Sequence, residues 1–205
     1  MAQAMAYVNG SLVTLANKIT IVRILLIPVF IGFALYYAHS VAEGAPNEVL
    51  RWSAITVFVT AALSDAVDGW VARHFNQRSK LGVILDPLAD KLLMLSAVCV
   101  LSFSPWPHGL PLYFVILSIS REVLTIAGAF VIKFVAGKVD IAPHWTGKAS
   151  TFTQLVAIAA AMLSLGAFVQ QTAAVASVFV IGSGTVYLID AIRQITAAGH
   201  GNAES

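Results

Sequence analysis

Four carboxylates, Asp65, Asp68, Asp86 and Asp90, fall within 26 residues of a chain that has only ten acidic residues in 205. Asp65 and Asp68 are three apart and Asp86 and Asp90 four apart, so each pair shares one face if its segment is helical. Carboxylates beside hydrocarbon are costly unless they face a polar cavity, pair with cations or hold metal. Four in one cavity would repel one another and take up protons unless divalent cations neutralised them. An all-oxygen set suits Mg2+ or Mn2+, whereas zinc sites draw on histidine and cysteine at ligand spacing. Here His39, His74, His108, His144 and His200 are scattered, and Cys99 is the single cysteine. Gly69 and Ala72 share the face of Asp65 and Asp68 and leave room for a flat or bulky ligand beside the charges. Singly, Asp86 could be a helix N-cap, Asp65 could pair with Arg73, and any one acid could be a polar packing residue. All four at this spacing point to a site.

The supports for this cluster are apolar. With 59% hydrophobic and 11% charged residues, the chain departs from soluble proteins, where about a quarter of residues are charged. It reads as an all-α, polytopic integral membrane protein forming a single domain over residues 1–205. Crossing about 30 Å of hydrocarbon takes roughly 20 apolar residues. Such stretches near residues 19–38, 52–73, 87–103, 112–134, 150–168 and 174–191 predict six transmembrane helices. Asp86 followed by Pro87 suits the start of the third, and Pro105, Pro107, Gly109 and Pro111 a tight connection before the fourth. The short connection from His74 to Leu85 makes the second and third an antiparallel hairpin on which the four carboxylates can converge. Asp65 then lies roughly 13 Å inside the cytoplasmic boundary, which calls for a water-filled cavity.

Orientation follows from the basic residues. Lys18, Arg23, Arg73, Arg78, Lys80, Lys91, Lys133, Lys138, Lys148 and Arg193 gather on one side, while Arg51 stands on the other with Glu43 and Glu48. Cytoplasmic loops are enriched in lysine and arginine, so both termini are expected in the cytoplasm. Trp52 and Trp106 then fall at the outer boundary and Trp70 and Trp145 at the inner one, with core packing the alternative for each. Residues 1–18 are a candidate interfacial segment and residues 192–205 a flexible tail. A net charge of +2, spread over several short loops, gives no support for a nucleic-acid partner.

Residues 65–90 read DAVDGWVARHFNQRSKLGVILDPLAD and match the DxxDGxxARx8Gx3Dx3D signature at Asp65, Asp68, Gly69, Ala72, Arg73, Gly82, Asp86 and Asp90. The chain thereby resembles the CDP-alcohol phosphatidyltransferases. Asn17, Thr20, Arg23 and Pro28 are similar to the NxxTxxRxxxxP opening of bacterial members, as are the Ser120, Arg121, Glu122 run and the Gly147, Lys148 pair. The resemblance implies an enzyme in the cell membrane, its site facing the cytoplasm, that cuts CDP-diacylglycerol at its pyrophosphate. It releases CMP and passes the phosphatidyl group to an alcohol. Two divalent cations would be held by Asp65, Asp68, Asp86 and Asp90, with Asp90 also the general base on the acceptor hydroxyl. Gly69, Ala72, Arg73 and Gly82, with Asn17 and Thr20, would bind the nucleotide. The family also implies a homodimer among membrane lipids.

The acceptor is read from cations. Arg121 lies near the middle of the fourth stretch, where an arginine needs an anionic partner, and Lys133, Lys138 and Lys148 gather near its cytoplasmic end. Glu122 is adjacent but points about 100° away, so it need not neutralise Arg121. Glycerol 3-phosphate is the first choice of acceptor. Family members that use it often carry a second arginine eight residues on, where this chain has Ala129. That departure keeps open phosphatidylglycerol, the acceptor of the family's cardiolipin synthases. A cation transporter using the acids as its ion path is the rival from another class, weakened by the absence of an evident inverted repeat.

Overall fold

A computed structural model describes residues 15–74, 82–136 and 145–201, with side chains at 19–64, 85, 87–128, 130–131, 145–194 and 196. Those residues form six helices and no strand: α1 (Leu15–Ala42), α2 (Glu48–His74), α3 (Gly82–Phe103), α4 (Leu112–Ala136), α5 (Trp145–Met162) and α6 (Ala167–Gly201). Two are long and apolar enough to cross a membrane, over Ile19–Ala42 and Ala167–Gln194. Both expose large apolar side chains, including Val22, Leu25, Val29 and Tyr36 on α1 and Val175, Val178, Ile181 and Leu188 on α6. Such faces are stable where hydrocarbon replaces water.

The chain divides into two compact units, one ending at Ser96 and the next beginning at Ala97, so the boundary falls inside α3. In the first unit α1 packs on α2. Phe30, Ala34, Tyr37 and Ala38 bury one face of α1, and Ala54, Phe58 and Ala61 bury the matching face of α2. The Phe30 and Phe58 rings meet at 5.5 Å between centroids, and Arg23 reaches Ser64. Advancing on α1 retreats on α2, the mark of an antiparallel pair. The turn between them is specified locally. Gly44 takes a φ of 76°, its N–H reaching the Val41 carbonyl and the Ala45 N–H the Ser40 carbonyl, a Schellman end that favours glycine. Asn47 then caps α2, its Oδ1 accepting the Val49 N–H at 3.1 Å.

In the second unit α4 and α5 each pack on α6. The buried stripe of α6, Val169, Ala173, Ala176, Val180 and Ser183, is mostly small, which lets helix backbones approach closely. Trp106 is buried and its Nε1 donates to the Ala161 carbonyl at 2.9 Å, so it is a packing residue. Trp52 and Trp145 are exposed, and the Trp70 side chain lies outside the described residues.

Several helix boundaries differ from the sequence expectation, three of them with structural consequences. Helix α3 begins at Gly82, so Asp86 is inside it and not its N-cap, and Pro87 forgoes a bond to the Val83 carbonyl. Helix α5 ends at Met162 instead of running on to 168. Ser164, with φ 54°, closes it as a Schellman turn in which the Leu165 N–H bonds the Ala160 carbonyl at 3.1 Å. The turn is built mainly of apolar residues, so hydropathy alone runs straight through it. Finally, α6 continues to Gly201, so residues 192–201, expected as flexible tail, are helical.

Candidate active site

The sequence-predicted residues fall into two groups, one in each unit. In the first unit, α2 carries Asp65, Asp68, Gly69, Ala72 and Arg73 in its last turns, and α3 carries Gly82, Asp86 and Asp90 in its first. Helical backbone at these positions sets Asp65 with Asp68, and Asp86 with Asp90, on shared faces. The side chains of Asp65, Asp68, Gly69, Ala72, Arg73, Gly82 and Asp86 lie outside the described residues, as does the connection 75–81. The expected meeting of the four carboxylates therefore falls outside them too. Asp90 is described: it is half-buried, beside the fully buried Ala89 and one turn before the buried Leu93. Among the described residues no three histidine, cysteine, aspartate or glutamate side chains gather as a metal site.

Arg23 is the feature of this unit that sequence reasoning undervalued. In the sequence it is a topology marker and part of an opening motif, yet its side chain is 0% exposed. Its Nε donates to Ser64 Oγ at 3.2 Å, and the Ser64 hydroxyl donates to the Ala61 carbonyl at 2.7 Å. Ser64 precedes Asp65, so this buried cation braces α1 against the turn of α2 that enters the acidic segment. Thr20, one turn earlier on α1, is also fully buried. Asn17 is helical, with its side chain outside the described residues. A groove of about 540 Å3 between Phe33, Glu48, Val49 and Trp52 lies roughly 20 Å along α2 from Asp65 and holds no cluster of acids.

In the second unit, Arg121 is the centre of a polar contact between helices. Its Nη1 donates to Glu122 Oε1 at 2.6 Å, and its Nη2 approaches Ser183 Oγ of α6 at 3.5 Å. Arg121 and Glu122 side chains are 16% and 22% exposed, so this is a partly buried pair. The expectation that Glu122 need not neutralise Arg121 is overturned. Long side chains on adjacent positions span the 100° between their Cα–Cβ directions when both ends are shielded from water. A Cβ added to Gly147, in the first turn of α5, would sit 3.8 Å from Arg121 Nη2 and 3.9 Å from Ser183 Oγ. Arg121 thus stands beside the first turn of α5, although it is only the tenth residue of α4.

This place retains unspent donors. Arg121 Nε and, one turn earlier, Ser118 Oγ are buried without a hydrogen-bond partner. A buried unpaired donor is costly and marks a ligand site or an unsatisfied strain. Sequence reasoning missed Ser183; its only signal was a hydroxyl in the small-residue stripe of α6. Lys148 is exposed in the first turn of α5. Lys133 is helical with its side chain outside the described residues, and Lys138 lies outside them altogether.

Comparison with known proteins supplies the chemistry. The profile of the family described as CDP-alcohol phosphatidyltransferase matches residues 13–183. The chain is 32% identical to a probable phosphatidylglycerophosphate synthase of Mycobacterium tuberculosis, over 91% of this chain and 86% of that one. It is 34% identical to the CDP-diacylglycerol–glycerol-3-phosphate 3-phosphatidyltransferase of Bacillus subtilis, over 73% of this chain and 76% of that one. A putative cardiolipin synthase of Mycobacterium bovis is 30% identical, over 72% of this chain and 64% of that one. Helices apolar enough to cross a membrane, an acidic signature split between α2 and α3, and a profile covering most of the chain converge: this protein belongs to the CDP-alcohol phosphatidyltransferase family and is a membrane-associated transferase of phospholipid synthesis.

Proposed function

We propose that this enzyme transfers the phosphatidyl group of CDP-diacylglycerol to glycerol 3-phosphate and releases CMP. The observation that carries the acceptor is Arg121, a partly buried guanidinium with a buried, unpartnered Nε, facing Ser183 across the space left by Gly147. A phosphate monoester would satisfy that donor, and a guanidinium fork is the side chain best shaped to hold one. The match to a probable phosphatidylglycerophosphate synthase extends over 91% of this chain, against 72% for a putative cardiolipin synthase, which supports the same choice.

In this reading the acceptor hydroxyl attacks the phosphorus, its proton passes to Asp90, and the bond to the CMP oxygen breaks. Asp90 suits the base because its neighbours Ala89 and Leu93 are buried while it keeps partial exposure. Two divalent cations, Mg2+ or Mn2+, on Asp65, Asp68, Asp86 and Asp90 would supply neutralisation of the pyrophosphate. The all-oxygen chemistry of that set fits them. Gly69, Ala72, Arg73 and Gly82, with Asn17 and Thr20, take the nucleotide. Six spans with both termini in the cytoplasm, a cytoplasm-facing site and a homodimer complete the proposal. The antiparallel α1–α2 pair supports that topology, and so does the parallel run of α4 and α6, where contacts step by four residues on both.

Purified protein is incubated with CDP-diacylglycerol, Mg2+ or Mn2+ and each acceptor separately, and CMP and lipid product are measured. Turnover with glycerol 3-phosphate is expected. The absence of an arginine at Ala129 favours a second reading, and turnover with phosphatidylglycerol alone would establish that instead. No CMP release with any acceptor would remove both.

A further inference from the structure

The geometry points to Tyr187 as a positioning residue that sets the spacing of α4 and α6 and so holds Arg121 in place for the acceptor. This rests on the reading of Arg121 given above. The Tyr187 hydroxyl donates to the Thr125 carbonyl on α4 at 2.9 Å. Thr125 Oγ1 in turn donates to the Arg121 carbonyl at 2.8 Å, one turn back. The Tyr187 ring lies across Gly128: a Cβ there would come within 2.7 Å of the ring Cε1 and 3.2 Å of the hydroxyl oxygen. Arg121, Thr125 and Gly128 share one face of α4, and Ser183 and Tyr187 one face of α6.

These contacts form a ladder between parallel helices. Its one end is the Arg121–Ser183 approach at 3.5 Å, and its other is the ring seated on Gly128. A glycine inside a helix is unfavourable compared with alanine, and here its lack of a side chain admits the ring. The 3.5 Å contact is long for a hydrogen bond, so a small change in helix separation opens or closes it. Tyr187 is therefore placed to set the width of the gap between Arg121, Ser183 and Gly147. It touches neither Arg121 nor Ser183 in any hydrogen bond, so it would act through backbone spacing.

The test uses the purified full chain, titrated with glycerol 3-phosphate at saturating CDP-diacylglycerol and then the reverse. Tyr187→Phe keeps the ring and loses the hydroxyl bond, and should raise KM for glycerol 3-phosphate about fivefold. KM for CDP-diacylglycerol should stay within about twofold. Gly128→Ala displaces the ring and should raise the acceptor KM about tenfold or more. The double variant Gly128→Ala with Tyr187→Leu removes the colliding ring atoms, and its acceptor KM should fall back to that of Tyr187→Leu alone. Acceptor KM values unchanged in Tyr187→Phe and Gly128→Ala, or both substrates' KM raised in parallel with a lower melting temperature, would overturn the inference. An inactive wild type would count against the transferase acceptor reading and leave the positioning role of Tyr187 to a second measurement. There, inorganic phosphate should raise the melting midpoint of the wild type more than that of Tyr187→Phe. Equal shifts, or none in the wild type, would overturn it.

Discussion

Exchanging Arg121 for lysine separates charge from geometry. Arg121 sends Nη1 to Glu122 at 2.6 Å and Nη2 toward Ser183 at 3.5 Å, while Nε is buried without a partner. A lysine retains the charge but carries it on one nitrogen, which cannot keep Glu122 and also present a planar pair of donors to a phosphate. Losing one charge-assisted hydrogen bond costs about 1.5–3 kcal/mol, or about 10- to 150-fold in KM for glycerol 3-phosphate. Arg121→Met goes further and strips Glu122 of that cation. Breaking a fully buried pair costs about 3–5 kcal/mol, and with these side chains 16% and 22% exposed about 2 kcal/mol of folding stability is expected. Adding Glu122→Gln removes the carboxylate charge that has lost its Arg121 cation and should recover part of that stability, and none of the turnover. CMP release across an acceptor titration, with melting of each variant in the same detergent, provides both readouts. An Arg121→Lys KM within twofold of wild type would refute the acceptor role. So would recovery of turnover in the double variant, which would leave Arg121 merely the counter-ion of Glu122.

Asp90→Asn should abolish CMP release while nucleotide binding, followed by CDP protection of the melting curve, persists; undiminished turnover would remove Asp90 as base. Chelation with EDTA should stop turnover and re-addition of Mg2+ or Mn2+ restore it, since four carboxylates gathered as proposed would need cations; activity persisting in excess EDTA would refute the metal assignment. Arg23→Met should cost about 3 kcal/mol or more of stability by removing a fully buried side chain with its Ser64 bond, and wild-type melting would show that Arg23 does not brace α2. Ser164→Gly should stabilise by about 1 kcal/mol, because Ser164 holds φ 54° where only glycine is unstrained; an unchanged or lower denaturation midpoint would contradict this.

How far each residue could be read depended on whether its signal was local. The acidic signature was legible because it is a spacing within two adjoining segments, and helix periodicity turns spacing into a shared face without further folding information. The Asn47 cap and the Gly44 turn are local in the same way. Asp86–Pro87 misled because the same dipeptide that opens many helices here sits inside one, preceded by apolar residues that extend α3 back to Gly82. The Ser164 turn escapes sequence reading for the opposite reason, since leucines flank Ser164 on both sides and its closure lies in backbone hydrogen bonds.

By itself the sequence determined an all-helical, lipid-compatible chain carrying the acid cluster of its family, since composition, periodicity and motif spacing are properties of contiguous residues. Only the tertiary structure decided which distant residues serve those elements. Arg23 is buried against Ser64, 41 positions away, and Arg121 meets Ser183 across 62 positions. Tyr187 lies on Gly128, and Arg121 leans on its own neighbour Glu122 instead of standing apart from it. Pairings of this kind are chosen by helix register and by the cost of leaving charge unpaired in an apolar interior. Neither exists until the helices have packed.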